Sequence, residues 1–238
     1  MKTGRLNHAP TIVKYCFEKL TGAGFLLFIM AIYILFLNLF ELYDFSKAFQ
    51  EELLWFVVFI YGVLSSVVID FLTFKIKAGH WLKITFYILA GYAIFLFYGF
   101  NIFTIIAGTV GAIAALVFFY GTALPEKSAS ISLIIAFVIP AAIFMLSLID
   151  FTEKQGWSEQ REEHMFSARF DYFNGEHAIP VKLEKGELID ITMDFNNVNQ
   201  GGHGFHVKNE DNNLVGLTEK SDGVLIDGFP AYFAVTVL

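Results

Sequence analysis

Two imidazoles and three glycines share the segment Gly201-Gly202-His203-Gly204-Phe205-His206. Glycines let a backbone approach a ligand closely, and two histidine nitrogens could begin a transition-metal site. In a strand, however, His203 and His206 fall on opposite faces, because successive side chains alternate. A bulge or turn and a third ligand, such as Asp194 or His177, would be needed. The segment therefore reads as a hairpin connection, and neither a metal nor a cofactor is expected. A second cluster is rich in oxygen: Asp194-Phe-Asn196-Asn197-Val-Asn199, followed by Asn209-Glu210-Asp211-Asn212-Asn213. Calcium takes hard oxygen ligands of this kind. The EF-hand spacing is absent, and Asp and Asn are also the usual residues of turns. Turns are the expectation at Asp194 and Asp211.

Asp70 is a different case. It is the only charged side chain inside an otherwise apolar run, and intramembrane carboxylates often mark proton or cation paths. It also lies just five positions before Lys75, close enough to meet interfacial water or a lysine head group. With no acid, arginine or histidine in another run to partner it, the interfacial reading is preferred and a functional one is held as the rival. No P-loop, nucleophile elbow, zincin motif or acid–base pair occurs, so no catalytic residue is assigned and a non-enzymatic protein is expected.

The elements that must carry these residues are set by hydropathy. The chain has 238 residues, 56% of them hydrophobic, with 28 Phe and a mean hydropathy of +0.59, outside the soluble range. Runs of about 20 apolar residues suffice to cross a bilayer. Five are read: 21–40, 53–74, 84–100, 102–120 and 130–149. Gly99 and Asn101 separate the third from the fourth, since one helix over 84–120 would be ~55 Å long and overshoot the membrane. The polar stretch Glu41–Glu52 reads as a loop. The first run is too long for a signal-peptide core and no A-x-A site follows, so it reads as a retained anchor. Cys16 is the sole cysteine, which leaves no disulfide framework within one chain.

In the fourth run, Ala107, Gly108, Gly111, Ala112 and Ala115 recur at three- and four-residue spacing and would let another helix approach, within the chain or in a helix-mediated oligomer. Pro140 should kink the fifth run. Lys2, Arg5, Lys14 and Lys19 precede the first run, and Lys75, Lys77 and Lys83 fill the second loop. Positive loops stay cytoplasmic, which puts residues 1–20 inside and, after five spans, everything from residue 150 outside a cell membrane.

Charge divides the chain at the same place. Residues 1–149 hold nine Lys/Arg and seven Asp/Glu, a balance of +2; residues 150–238 hold seven and sixteen, a balance of −9. So acidic a module should repel phosphate backbones, and nucleic acid is not an expected partner. Residues 150–166 read as a hydrophilic connector, with about two helical turns over Ser158–Met165 and Trp157 at headgroup level. From residue 167 to 238 the period becomes alternating. The clearest strands are Glu187–Phe195 and Ala231–Leu238; shorter ones are Ala168–Phe173, His177–Leu183, Gly204–Lys208, Leu214–Leu217 and Val224–Ile226. Asn174-Gly175, Lys185-Gly186, Asp211–Asn213 and Asp222-Gly223 supply turns. The fold class that follows is a membrane α-helical bundle followed by a small all-β antiparallel sandwich.

The stretch Leu183-Glu-Lys-Gly-Glu-Leu-Ile-Asp-Ile191, the glycine-rich turn and the closing Ala-Tyr-Phe-Ala-Val strand resemble the pattern of small jelly-roll modules of the GOLD or prepeptidase-C-terminal type. The resemblance covers under a third of the chain, brings no catalytic motif, and implies a module that binds or supports assembly. The expectation is a membrane protein presenting an acidic β-module to a protein or small ligand at the outer face. The rival is a small transporter or immunity-type protein whose helical bundle is the active part.

Overall fold

A computed structural model describes residues 12–96, 99–126, 128–162, 165–181, 188–191, 203–209, 214, 218–220, 223–227 and 231–237. Asp194 and Asp211 lie outside the described residues, as do the turn at Lys185-Gly186 and most of the strand expected over Glu187–Phe195. The chain forms two compact units, Met1–Ile149 and Asp150–Leu238.

The first unit is helical. Among the described residues four helices are long and apolar enough to cross a membrane: α1 (Ile12–Leu37), α3 (Glu52–Lys75), α5 (Ile102–Gly121) and α6 (Ala129–Ser147). Between them lie α2 (Leu42–Gln50) and the shorter apolar α4 (His80–Leu96). Helix α1 begins well before the first apolar run, because Ile12, Val13, Cys16, Phe17 and Leu20 already repeat at helical spacing. The expected loop over Glu41–Glu52 is instead mostly α2. Tyr43, Phe45 and Phe49 give this helix an apolar face that buries, while Asp44 and Lys47 and the flanking Glu41, Glu51 and Glu52 give the stretch its polar look. Gln50 Nε2 donates to the Ser147 carbonyl at 2.8 Å, satisfying an acceptor at the C-terminus of α6.

The break at 99–101 falls where the sequence places it. Gly99 adopts a positive φ of 82°, and the Asn101 side chain accepts from the Thr104 N–H at 3.0 Å to cap α5. Helices α4 and α5 then pack so closely that a Cβ on Gly91 would enter the Gly111 backbone, and one on Gly108 would enter the Tyr92 ring. The small residues at 108 and 111 thus serve a neighbour within the chain. Gly91→Ala should cost ~1–3 kcal/mol, since backbone cannot move aside as a side chain can. Gly79, with open space around it, provides the matched control: Gly79→Ala should stay within ~0.5 kcal/mol. Thermal unfolding of the two variants in detergent decides between them, and equal losses would show that the close approach is not limiting.

Pro140 does not act alone. The π-helical turn Ile134–Val138 directly precedes it, a wider winding that adapts the helix to a residue without an N–H donor. A second π-helical turn, Phe56–Tyr61, interrupts α3 without a proline. Outward-facing side chains of the long helices are almost all apolar, with Phe71, Phe103 and Val110 each more than 60% exposed. Belts of this size are unfavourable in water and natural against lipid.

The second unit is antiparallel β. Its strands are β1 (Glu153–Gln155), β2 (Ser158–Arg161), β3 (Phe166–Arg169), β4 (Tyr172–Pro180), β5 (Leu188–Ile191), β6 (His203–Asn209), β7 (Thr218–Lys220), β8 (Gly223–Asp227) and β9 (Ala231–Val237). Among the described residues one sheet runs β1-β4-β9-β6, a second β5-β8-β7, and β2 pairs with β3. Two expectations are corrected here. Residues 158–161 are strand and not helix, because Ser158 through Arg161 pair in register with Arg169 through Phe166. Asn174-Gly175 is not a turn: both residues sit inside β4, where Asn174 pairs with Glu153 and Gly175 with Val237. Pairing on both sides overrides the local turn preference.

Candidate functional site

Three helices of the first unit converge on Asp70. It lies one turn from the end of α3, and Tyr15 and Lys19, four residues apart on α1, face it together. Lys19 Nζ is 2.5 Å from Asp70 Oδ2, and the Tyr15 hydroxyl donates to the same oxygen at 3.0 Å. Lys83, in the first turn of α4, places its Nζ 2.7 Å from Asp70 Oδ1. Lys19 is only 4% exposed, so its charge depends on this carboxylate for compensation. Its ammonium also sits 4.8 Å from the centre of the Tyr15 ring, and that of Lys83 lies 5.6 Å from the Phe119 ring.

The polar line continues along the α3–α4 seam. Four residues before Asp70 on α3, buried Ser66 shares a 2.6 Å hydrogen bond with the hydroxyl of Tyr87, four residues after Lys83 on α4. Farther on, the Tyr61 hydroxyl donates to the Ala90 carbonyl at 2.6 Å. Spacings of four and five residues on α3, against four and three on the antiparallel α4, stack these pairs as rungs. Chemically, one carboxylate joined to two ammonium groups fastens three helices, and with all three charged the triad carries one net positive charge. Sequence reading misses the triad because Lys19 lies in a stretch read as the cytoplasmic N-terminal segment and Lys83 in one read as a loop. The available signal was the helical spacing of Tyr15, Lys19 and the apolar residues around them.

The β-unit gathers a second cluster. Trp157 packs its ring against Phe170, Phe173 and His177, with centroids 5.5, 5.3 and 4.7 Å away. Lys154 Nζ stands 4.6 Å from the Trp157 ring centre and 2.8 Å from His177 Nδ1. On the other side of the imidazole, Nε2 is 3.1 Å from Glu159 Oε2, an oxygen that accepts from Trp157 Nε1 at 3.0 Å. Burial pushes the His177 imidazole below its ordinary value, the Lys154 charge pushes it the same way, and Glu159 opposes both. The Trp157 N–H, first among several causes, holds the Glu159 carboxyl below the usual range.

His203 and His206 lie on β6, at the register positions of Val237 and Ala234. His206 Nε2 is 3.8 Å from Glu176 Oε1, and Lys208 Nζ is 4.0 Å from the other oxygen of that carboxylate. Among the described residues no group of three His, Cys, Asp or Glu side chains is placed to hold a metal ion.

No family model, curated protein or solved structure matches the chain. The likeness to jelly-roll modules therefore stands on the residue pattern alone.

Proposed function

We propose a non-enzymatic, multi-pass membrane protein whose helical unit is a self-contained anchor and whose acidic β-unit, a small sandwich, is the working part at the outer face. The observation that carries this reading is the engagement of the one intramembrane carboxylate, Asp70, by both Lys19 and Lys83. A site built to exchange an ion with solvent needs a group that can be released, whereas a carboxylate with two lysines and a tyrosine on it reads as a fastening. The −9 balance of residues 150–238 leaves the β-unit as the surface offered to a protein or small-ligand partner. Five spans are part of the reading. Helix α4 has 17 residues, ~25 Å at 1.5 Å each, short of the ~30 Å core, and its close packing on α5 supports its crossing alongside that helix. The lysines at 75, 77 and 83 support an inside position for the α3–α4 connection.

A transport reading is favoured by two features, the buried ammonium of Lys19 and the π-helical interruptions in α3 and α6. Interrupted spans and intramembrane charges recur in ion pathways. Topology is tested with single cysteines in a Cys16→Ser background. At Ser158 or Asn212 they should react with an impermeant thiol reagent on intact cells, and at His80 or Lys127 only after lysis. Labelling of Asn212 only after lysis would show a different span count. Function is tested in a null strain: truncation after Ile149 should abolish complementation. Complementation that survives truncation but is lost in an accumulating Asp70→Asn protein would make the bundle the active part.

A further inference from the structure

The cluster around His177 has a geometry that suits a neutral imidazole beside a charged lysine. Lys154 is an ammonium with donors and no acceptor, so at 2.8 Å the His177 Nδ1 must offer it a lone pair. The ring proton then sits on Nε2, the nitrogen that faces Glu159 Oε2 at 3.1 Å. A second proton would have to bind at Nδ1. It would place a donor against a donor and a positive charge 2.8 Å from another. We propose that Lys154 and His177 form a proton-operated latch in the β-unit, closed while the imidazole is neutral and opened when Nδ1 takes up a proton.

The elements around the imidazole support a switch. On one side β1, a three-residue strand paired among the described residues only with β4, contributes Lys154, whose ammonium also lies over the Trp157 and Phe173 rings at 4.6 and 5.7 Å. From β2 come Glu159, which faces Nε2, and Arg161, whose charge adds to that of Lys154 and whose guanidinium stands 5.7 Å from the Phe166 ring. From β3, Phe166 itself packs on the imidazole with centroids 5.6 Å apart. On the other side β9 places Val235 at the register position of His177, and Tyr232 is the one titratable residue between Ala231 and Val237. The neighbours on β4, Glu176 and Ala178, alternate away from His177, and Glu176 meets His206 and Lys208 instead. Among the described residues two cations and one carboxylate thus bear on the imidazole, and the nearer cation is the one free to leave, because Lys154 is exposed while the ring is not.

Opening removes the ammonium from two aromatic faces and loosens the first strand of the unit. The direction of the pH effect is fixed. In the folded chain His177 holds its second proton less tightly than an ordinary histidine, whose value is 6.5. As pH falls below that value the unfolded chain binds more protons than the folded one, so stability of the β-unit is full above it and declines through the folded midpoint.

The test uses the full chain in lipid nanodiscs with isotope-labelled histidine. Loss of one of the six imidazole resonances in His177→Gln assigns His177. Its midpoint should lie below 6.5 in the unaltered chain, and Lys154→Met should raise proton affinity roughly tenfold, one pH unit. By reciprocity, protonation weakens the seat of Lys154 by the same factor. The emission of Trp157, taken as the difference from Trp157→Phe, should change with the same midpoint and lose most of that change in Lys154→Met. A midpoint unmoved by Lys154→Met overturns the latch. So does an emission change that persists in His177→Gln, or one that survives at full amplitude in Lys154→Met, since it would report the imidazole without movement of the lysine.

Discussion

Asp70→Asn should destabilise the helical unit by ~3–5 kcal/mol, the usual loss when one member of a buried ion pair is removed and the other stays. Lys19 is the member that stays, 4% exposed and, among the described residues, without another carboxylate at salt-bridge distance. The sequence alone predicts the opposite sign, a neutral or mildly stabilising change, because it shows a lone carboxylate near an interface with a desolvation cost to relieve. A denaturation series in mixed micelles distinguishes the two. The companion variant Lys19→Met/Asp70→Leu removes the buried pair and leaves only Lys83, whose side chain is 31% exposed and can turn to water. It should recover most of the stability lost in Asp70→Asn. If the double variant is as stable as the unaltered chain and still complements a null strain, the triad is a fastening. If it is stable and inactive, the carboxylate does chemistry and the transport reading gains.

What the sequence shows and what it hides divide along a physical line. Apolar runs are legible because water exclusion depends on composition over about 20 residues, and the break at Gly99 and Asn101 because a positive φ and an N-cap are local devices. The α2 helix is hidden because its burial depends on Tyr43, Phe45 and Phe49 meeting other helices, while its charges make it look like a loop. The Asp70 triad is hidden for the same reason on a larger scale. Its members are separated by 51 positions on one side and 13 on the other, and helical spacing at Tyr15 and Lys19 marks a helix face without saying which residue it meets. In the β-unit, alternation locates β6, β8 and β9 closely, yet Asn174-Gly175 and Ser158–Arg161 are misread because long-range pairing overrules short-range preference. The cluster of Lys154, Trp157, Glu159 and His177 lies partly in a stretch that reads as a plain connector.

Removing the last strand should unfold the β-unit while leaving the helical unit intact. Strand β9 is interior to its sheet: Gly175 through Pro180 of β4 pair on one side of it, and His203 through Asn209 of β6 on the other. A stop codon at Ala231 therefore separates β4 from β6 and opens a long edge on each. Each backbone hydrogen bond contributes ~0.5–1.5 kcal/mol net, so losing two ladders exceeds the ~5 kcal/mol expected of a small domain, and the new edges invite aggregation. Limited proteolysis of the truncated chain in nanodiscs should digest residues 150–230 and leave the membrane fragment. Ala234→Pro separates loss of the ladder from loss of length. Ala234 pairs with Ala178 on β4 and His206 on β6, and proline cannot donate from a central strand. It should reproduce the digestion with every other residue in place. A resistant β-fragment in both variants would mean that the unit is held by its other sheet, β5-β8-β7, and not by β9.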